Sequence, residues 1–341
     1  MKLKDIGEFG LIDLFRKKFP TPPEAGERIV LGLGDDCAVL KSSPENLLLL
    51  TTDSLMEKVH FDLSYFTWED VGIKAMSANI SDLAAMGGLP LAAVVSLGLP
   101  KEMEMDDTLN LYSGMDKMAK RFGFTIVGGD IFLSDKVVIS VALLGEVEPK
   151  FLKKRSGAKI GDSICVTGDL GESQAGLELL QSYAKHLDDK KDKSAFGRTF
   201  NKEVFGKHLR PVPRLNESRE LVRKLKINSM IDISDGLLGD LYHILEESKV
   251  GARLFEDKIP ISKKVLKLSS LLKQKPMGYA LYSGEEYELL FTVDSKDADS
   301  LKRLKTKVSV IGEITDKVLR MEMVDRNKKV RVLGKKGYVH F

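Results

Sequence analysis

Seven aspartates stand where apolar runs stop. Asp35 and Asp36 follow Val30-Leu31-Gly32-Leu33-Gly34, and Asp53 follows the run Leu47 to Thr52. Asp82 lies near the end of a helical run, Asp130 follows Gly128-Gly129, and Asp232 and Asp235 bracket Ile233-Ser234. Taken singly, each fits a turn or a cap, because Gly-Asp clusters mark turns. Taken as a set they imply a site. Two unit charges ~4 Å apart repel by about 4 kcal/mol at an effective dielectric of about 20, so a convergence of such carboxylates requires cations. All-oxygen ligands with no Cys or His cluster beside them select a hard ion such as Mg²⁺. Mg²⁺ held on carboxylates takes its other ligands from phosphates and water. Thr51 and Thr52, flanking Asp53, add oxygens. Gly128-Gly129 offers backbone N–H groups to a phosphate, and the Arg155 guanidinium offers a two-pronged contact to one. The chemistry implied is nucleotide-dependent phosphoryl transfer.

Two further stretches carry polar groups. His60, before Phe61, reads either as a packed or surface histidine or as a substrate contact. Glu285 and Glu286, after Ser283-Gly284, read either as an exposed turn or as part of the site. Neither a Gly-x-x-x-x-Gly-Lys-Ser/Thr loop nor the protein-kinase signature set is present, and no Gly-x-Gly-x-x-Gly opens a helix after a strand.

The elements that must position these groups follow from periodicity. Residues 8–19 have helical spacing and stop at Pro20. Ile29 to Leu33 and Leu47 to Thr52 read as strands. Trp68 to Met86 reads as a helix closed by Gly87-Gly88. A carboxylate at Asp82, near its C-terminus, opposes the helix dipole by roughly 0.3–1 kcal/mol, so something else must favour it. Leu91 to Leu99 is a strand, Asp107 to Phe122 a helix, Phe124 to Val127 a strand ending at the glycine pair, and Val137 to Leu144 another strand. The basic run from Pro149 to Gly157 reads as a boundary between an N-terminal unit, residues 1–148, and a C-terminal unit, 149–341. In the second unit Ser163 to Thr167, Met230 to Ile233, Ala280 to Gly284, Tyr287 to Val293 and Val308 to Ile311 read as strands. Helices are expected from Gly171 to Leu180, Arg214 to Leu225 and Leu237 to Ser248. Residues 183–203 read as an exposed loop or frayed helix. Strands alternate with helices in both units, so the fold class is α/β (α+β).

The bulk numbers agree with an ordered enzyme. The 341 residues suggest about two domains, and 43% hydrophobic with 30% charged composition supports packed cores. A formal charge of +3, from 53 basic against 50 acidic residues, with the basic ones scattered among acids, argues against nucleic acid as the main partner. Cys37 and Cys165 sit inside apolar runs as small hydrophobes, without zinc-ligand spacing. No apolar run reaches the roughly 18 residues of a membrane span, and Met1 to Glu8 lacks a signal core. A cytoplasmic protein is the expectation.

Several stretches together resemble one family, the thiamine-monophosphate kinases. They are Gly7-Glu8-Phe9, Gly34-Asp35-Asp36-Cys37-Ala38, Thr51-Thr52-Asp53 through His60-Phe61, and Asn79-Ile80-Ser81-Asp82-Leu83-Ala84-Ala85-Met86-Gly87. Further along come Gly128-Gly129-Asp130, Arg155-Ser156-Gly157-Ala158, Asp232-Ile233-Ser234-Asp235-Gly236-Leu237, Ser283-Gly284-Glu285-Glu286-Tyr287-Glu288-Leu289 and the tail Lys336-Gly337-Tyr338-Val339-His340-Phe341. The resemblance implies ATP-dependent phosphorylation of thiamine monophosphate to thiamine diphosphate on several Mg²⁺ ions. It also implies a two-domain, PurM-like architecture whose N-terminal domain completes a β-barrel across a homodimer. By similarity Asp36, Thr51, Thr52, Asp53, Asp82, Asp130, Asp232 and Asp235 would hold the metal. Tyr112, Gly129, Asp130, Arg155 and Ser234 would contact ATP, and His60, Glu285 and Tyr338 the thiamine substrate. Asp35 would shape its turn or stand behind the metal ligands. Glu286 departs from the aspartate more common in the family. The alternative is another ATP-using member of the same superfamily, an aminoimidazole ribonucleotide synthetase-like enzyme. Against it stands the Ser283-to-Glu288 stretch. The acceptor phosphate is already ionised, so no general base is needed, and transfer would be direct and in line.

Overall fold

A computed structural model describes residues 29–31, 35–41, 45–188 and 202–334 of the chain. Strand β3 (Leu47–Met56) buries Leu49, Thr51 and Leu55 on one face and turns Leu50, Thr52, Ser54 and Met56 outward. That alternation is what a sheet covered on one side requires. Its companions are β1 (Ile29–Leu31), β2 (Ala38–Lys41), β4 (Leu89–Leu99), β5 (Thr125–Leu133) and β6 (Val138–Val147), in the order β1-β2-β3-β6-β4-β5. Only the β4–β5 pair is parallel.

Helix α1 (Trp68–Ala85) packs on β3 and β6, and α2 (Met105–Phe122) packs on α1. α1 opens with a capping box: the Thr67 hydroxyl accepts from the Asp70 N–H (3.2 Å), and the Asp70 carboxylate accepts from the Thr67 N–H (3.1 Å). A Cβ on Gly72 would lie 2.1 Å from the Leu111 carbonyl oxygen, so glycine lets α1 and α2 approach closely. α1 is buried almost all round, as a helix enclosed on every side must be.

The second sheet holds β7 (Ser163–Thr167), β8 (Ile227–Asp232), β9 (Gly251–Phe255), β10 (Leu289–Val293), β11 (Val308–Thr315), β12 (Met321–Val324) and β13 (Val330–Leu333). Their order is β13-β12-β9-β11-β7-β10-β8, with only β9–β12 parallel. Around it lie α3 (Glu172–Asp188), α4 (Lys202–Leu209), α5 (Leu215–Lys224), α6 (Leu237–Ser248), α7 (Lys263–Leu271) and α8 (Pro276–Tyr282). One continuous core joins the covered face of the first sheet, α1, α5 and one face of the second sheet; Met76, Leu221, Met230 and Phe291 all belong to it. A second core fills the other face of the second sheet under α6. Cys37 and Cys165 are buried free thiols.

Some expectations change. Gly128-Gly129-Asp130 lies inside β5 and does not end it, because β5 pairs with β4 as far as Leu133. The stretch Ala280 to Gly284, expected as a strand, is the end of helix α8 and the turn after it. Pro276 starts that helix, and seven residues are too few for periodicity to separate helix from strand. Both sheets are mixed, so the aspartates are not gathered along one edge of a parallel sheet. The fold is two α/β units, and among the described residues the first sheet is open. The expected helix over 8–19, the glycines Gly32 and Gly34, and Tyr338 lie outside the described residues. Among the described residues no helix is long and apolar enough to cross a membrane.

Candidate active site

Helix α1 carries two polar stripes at helical spacing. Asn79 and Asp82 face β3: the Asn79 side-chain carbonyl accepts from the Asp53 N–H at 3.1 Å, and the Thr51 hydroxyl donates to Asp82 Oδ2. Lys74, Ser77 and Ser81 face the second half of the chain. Ser77 donates to the Pro211 carbonyl (2.9 Å), Ser81 donates to Asp232 Oδ2 (2.6 Å), and Lys74 pairs with Glu285. One helix therefore ties both sheets to the same small volume.

In that volume Asp36, Asp82 and Asp232 meet. One oxygen from each lies within 4.8 Å of the others. Burial and then the charge of Asp36 push the Asp232 carboxyl up to about 8. Asp82 is pushed well above the carboxylate range by burial and then by Asp53, Asp232 and Asp36. Burial and then Asp36 likewise push Asp35 up to about 7. Three carboxylates so placed cannot all be ionised without a cation. Arg155 supplies one: its Nε lies 3.2 Å from Asp36 Oδ1, and its backbone N–H donates to Asp35 Oδ2 at 3.3 Å. The other oxygen, Asp36 Oδ2, is buried with no hydrogen-bond partner among the described residues. An orphaned carboxylate oxygen in an all-oxygen cluster fits a hard divalent cation.

A second cluster adjoins the first. Lys74, 1% exposed, sends its ammonium to Glu285 Oε1 (2.7 Å) and Oε2 (2.9 Å) and to the His60 carbonyl oxygen (2.7 Å). Burial acts to raise the Glu285 carboxyl, but its basic neighbours, Lys74 first among them, together outweigh it and hold the group below its usual range. His60 Nδ1 accepts from the Met56 N–H at 3.0 Å. The Glu285 N–H donates to the Ser234 carbonyl (2.7 Å) and the Tyr287 N–H to the Ile233 carbonyl (2.8 Å), so the 283–288 turn is sewn to the 232–236 loop. Glu285 (φ 56°) and Tyr287 (φ 49°) both hold left-handed backbone, which costs energy in residues with side chains. Asp240 holds the neighbouring loop, accepting from the Asp235 N–H (3.2 Å) and the Gly236 N–H (3.0 Å).

Glu286 is not part of an exposed turn. It is 2% exposed, and its Oε1 accepts from the Gly171 and Ser173 N–H groups at the start of α3 (2.9 and 3.0 Å), where a carboxylate suits the helix dipole.

The expected residues thus divide. Asp36, Thr51, Asp53, Asp82, Arg155, Asp232, Ser234, Asp235, His60 and Glu285 are gathered around α1 and the 232–236 loop. Thr52, Gly129 and Asp130 are exposed on the first sheet, and Tyr112 is 44% exposed on α2. Asp130 pairs in register with Ser96 on the edge strand β5, and β3 lies three strands away. Lys74, Asn79, Ser81 and Asp240 were given no role from sequence. Lys74 alone carried a signal, a lone lysine between Ile73 and Ala75-Met76 in an apolar helix.

Residues 34–147 match the family model of the AIR synthase related protein N-terminal domain, and residues 159–323 that of its C-terminal domain. A thiamine-monophosphate kinase of Aquifex aeolicus (strain VF5) is 39% identical over 292 residues, covering 86% of this chain and 87% of that one. A thiamine-monophosphate kinase of Buchnera aphidicola subsp. Acyrthosiphon pisum is 36% identical over 335 residues, covering 96% and 98%. A solved structure described as AaThiL complexed with AMPPCP and TMP superposes with a TM-score of 0.82 at 35% identity, covering 100% of this chain and 99% of that one.

Proposed function

This chain belongs to the AIR synthase related family and within it to the thiamine-monophosphate kinases, and we propose on that premise that it transfers the γ-phosphoryl group of ATP to thiamine monophosphate, giving thiamine diphosphate. The observation that carries the reading at the level of chemistry is the meeting of Asp36, Asp82 and Asp232 beside Arg155. Three carboxylates from separate elements of both halves, with one buried oxygen unclaimed, suit a reaction between two polyanions.

Asp36, Thr51, Thr52, Asp53, Asp82, Asp130, Asp232 and Asp235 would hold Mg²⁺. Bound there, the ions would screen the phosphates and polarise their oxygens. The chain's own part is to position. Arg155, which bonds Asp36, would present its fork to a phosphate of ATP. Ser234, Gly129 and Tyr112 would orient the nucleotide. His60 and Glu285, with Tyr338, would hold the thiamine end so that its phosphate faces the γ-phosphate in line. The acceptor oxygen is ionised at neutral pH, so no residue needs to take a proton, and no phosphoenzyme forms. In this reading residues 1–148 carry ATP, metal and dimer contacts, and 149–341 completes the site. The uncovered face of the first sheet, with Leu50 41% and Val94 45% exposed, is where a second copy would pack.

The test is incubation of the protein with ATP, Mg²⁺ and either thiamine or thiamine monophosphate, with products separated by chromatography. Thiamine diphosphate is expected only from the monophosphate. Asp53→Asn and Asp82→Asn are each expected to cut turnover by at least about a hundredfold while the chain still melts cooperatively. Phosphorylation of free thiamine alone, or radiolabel from ATP retained on the protein, would sink the reading.

A further inference from the structure

Lys74 is the least expected residue of α1. A lysine 1% exposed in a helix interior must find compensation for its lost hydration. It finds three oxygens, both carboxylate oxygens of Glu285 and the carbonyl of His60, and its ammonium lies 5.2 Å from the centre of the Phe66 ring. These contacts bring together segments far apart in sequence: Glu285 is 211 residues from Lys74. The side chain that meets Glu285 on its other flank is His208, with Nδ1 3.4 Å from Oε2 and 3.2 Å from the Ser173 hydroxyl. Burial and then Lys74 hold that imidazole down to about 3, so it is neutral and leaves Lys74 as the cation on Glu285.

The turn that carries Glu285 is held in left-handed backbone at Glu285 and Tyr287. Such a conformation persists only where its surroundings hold it. We propose that Lys74 is a positioning residue for thiamine recognition: it fixes the Glu285 carboxylate and the His60 main chain as one unit, and couples them to the α1 helix that also carries Asp82. This rests on the reading of His60 and Glu285 as contacts to the thiamine substrate. The oxygens that Lys74 bonds belong to Glu285 and His60 and not to Asp36, Asp82 or Asp232. Loss of Lys74 therefore weakens the binding of one substrate and spares the chemistry.

Steady-state kinetics of Lys74→Met and Lys74→Gln, alone and combined with Glu285→Gln, test this. In the single variants KM for thiamine monophosphate rises about tenfold or more, kcat falls less than about threefold, and KM for ATP stays within about twofold. Because Lys74 acts through Glu285, adding Lys74→Met to Glu285→Gln changes KM by less than about twofold further. The inference is overturned by an unchanged KM for thiamine monophosphate, by equal losses in kcat and kcat/KM, by full additivity with Glu285→Gln, or by failure of both Lys74 variants to fold. A wild-type chain that neither binds nor phosphorylates thiamine monophosphate overturns the reading of function and this inference with it. A wild-type chain that does so, with Lys74→Met unchanged, overturns this inference alone.

Discussion

Asp36, Asp82 and Asp232 are held together, and the cost appears in the protons of Asp82 and Asp232. Asp232 is pushed up to about 8 from an ordinary 3.8, so the folded chain binds that proton more tightly than the unfolded chain. Stability from this source is complete below the unfolded value and is lost as pH rises through the folded one. Without metal the protein is therefore expected to melt at lower temperature as pH climbs from about 5 to about 8, and Mg²⁺ should restore most of the loss at the upper end. Binding must also displace protons. Mg²⁺ affinity should accordingly rise by up to about tenfold per pH unit for each proton displaced, below about pH 8. Calorimetric titration in buffers of different ionisation enthalpy reads this directly, and an affinity flat between about pH 6 and about pH 8 would contradict it. The carboxylates were legible in the sequence because acidic groups at the ends of apolar runs have no packing purpose. Asn79, Ser81 and Asp240 were not, because each takes its meaning from its partners. Ser81, for instance, bonds Asp232 across 151 residues, and no local pattern announces such a pair.

At the scale of elements, β5 tests how the glycine pair works. A Cβ on Gly129 would lie 1.8 Å from the Val95 carbonyl oxygen, whereas one on Gly128 would meet only a Val94 methyl at 4.0 Å. The two glycines are thus unequal. Gly129→Ala must push β5 away from β4 at Val95, just past the register shift between Ala93 and Val94. Overpacking of this kind costs typically about 1–3 kcal/mol. We expect Gly129→Ala to lower melting temperature and weaken ATP binding, and Gly128→Ala to do little of either. Thermal melts and nucleotide titration of the two variants decide this, and equal effects would contradict it. Elements with long periodic patterns or clear stops were readable in advance. α6, for example, runs from Leu237 to Ser248 as its apolar spacing indicates. Ser163–Thr167, five residues, was also readable, but α8, β12 and β13 were not. α8 has seven residues and β12 and β13 four each, lengths at which helical and strand periods cannot be told apart.

At the scale of the whole molecule, the first sheet leaves something unfinished. Its uncovered face shows Leu50, Val94 and Phe132 at 41%, 45% and 44% exposure, and its edge strand β5 shows Val127 and Ile131 at 64% and 69%. Among the described residues nothing pairs with that edge, and a second copy is the partner that the proposed function expects there. Asp130 makes the argument specific. It ends a row across the sheet, Ser54-Ser140-Ser96-Asp130, on the uncovered face, whereas Thr51 on β3 is buried against α1 and bonds Asp82. Three strand spacings, about 14 Å along the sheet, separate β5 from β3. Within one chain Asp130 is therefore badly placed to share an ion with Asp53 and Asp82. As a ligand it would therefore have to serve the cluster of a second copy rather than that of its own chain. Mixed dimers decide the matter. Asp130→Asn and Asp82→Asn chains, each inactive alone, are expected to recover activity when co-expressed. Half of randomly paired dimers are mixed, and each mixed dimer holds one site with both aspartates intact, so recovery should approach about a quarter of wild-type turnover. Sedimentation would report the dimer itself, and Ile131→Lys should shift it toward monomer and abolish turnover. A dimer whose mixed form stays inactive would return Asp130 to its own chain, and an active monomer would remove the partner from the site altogether.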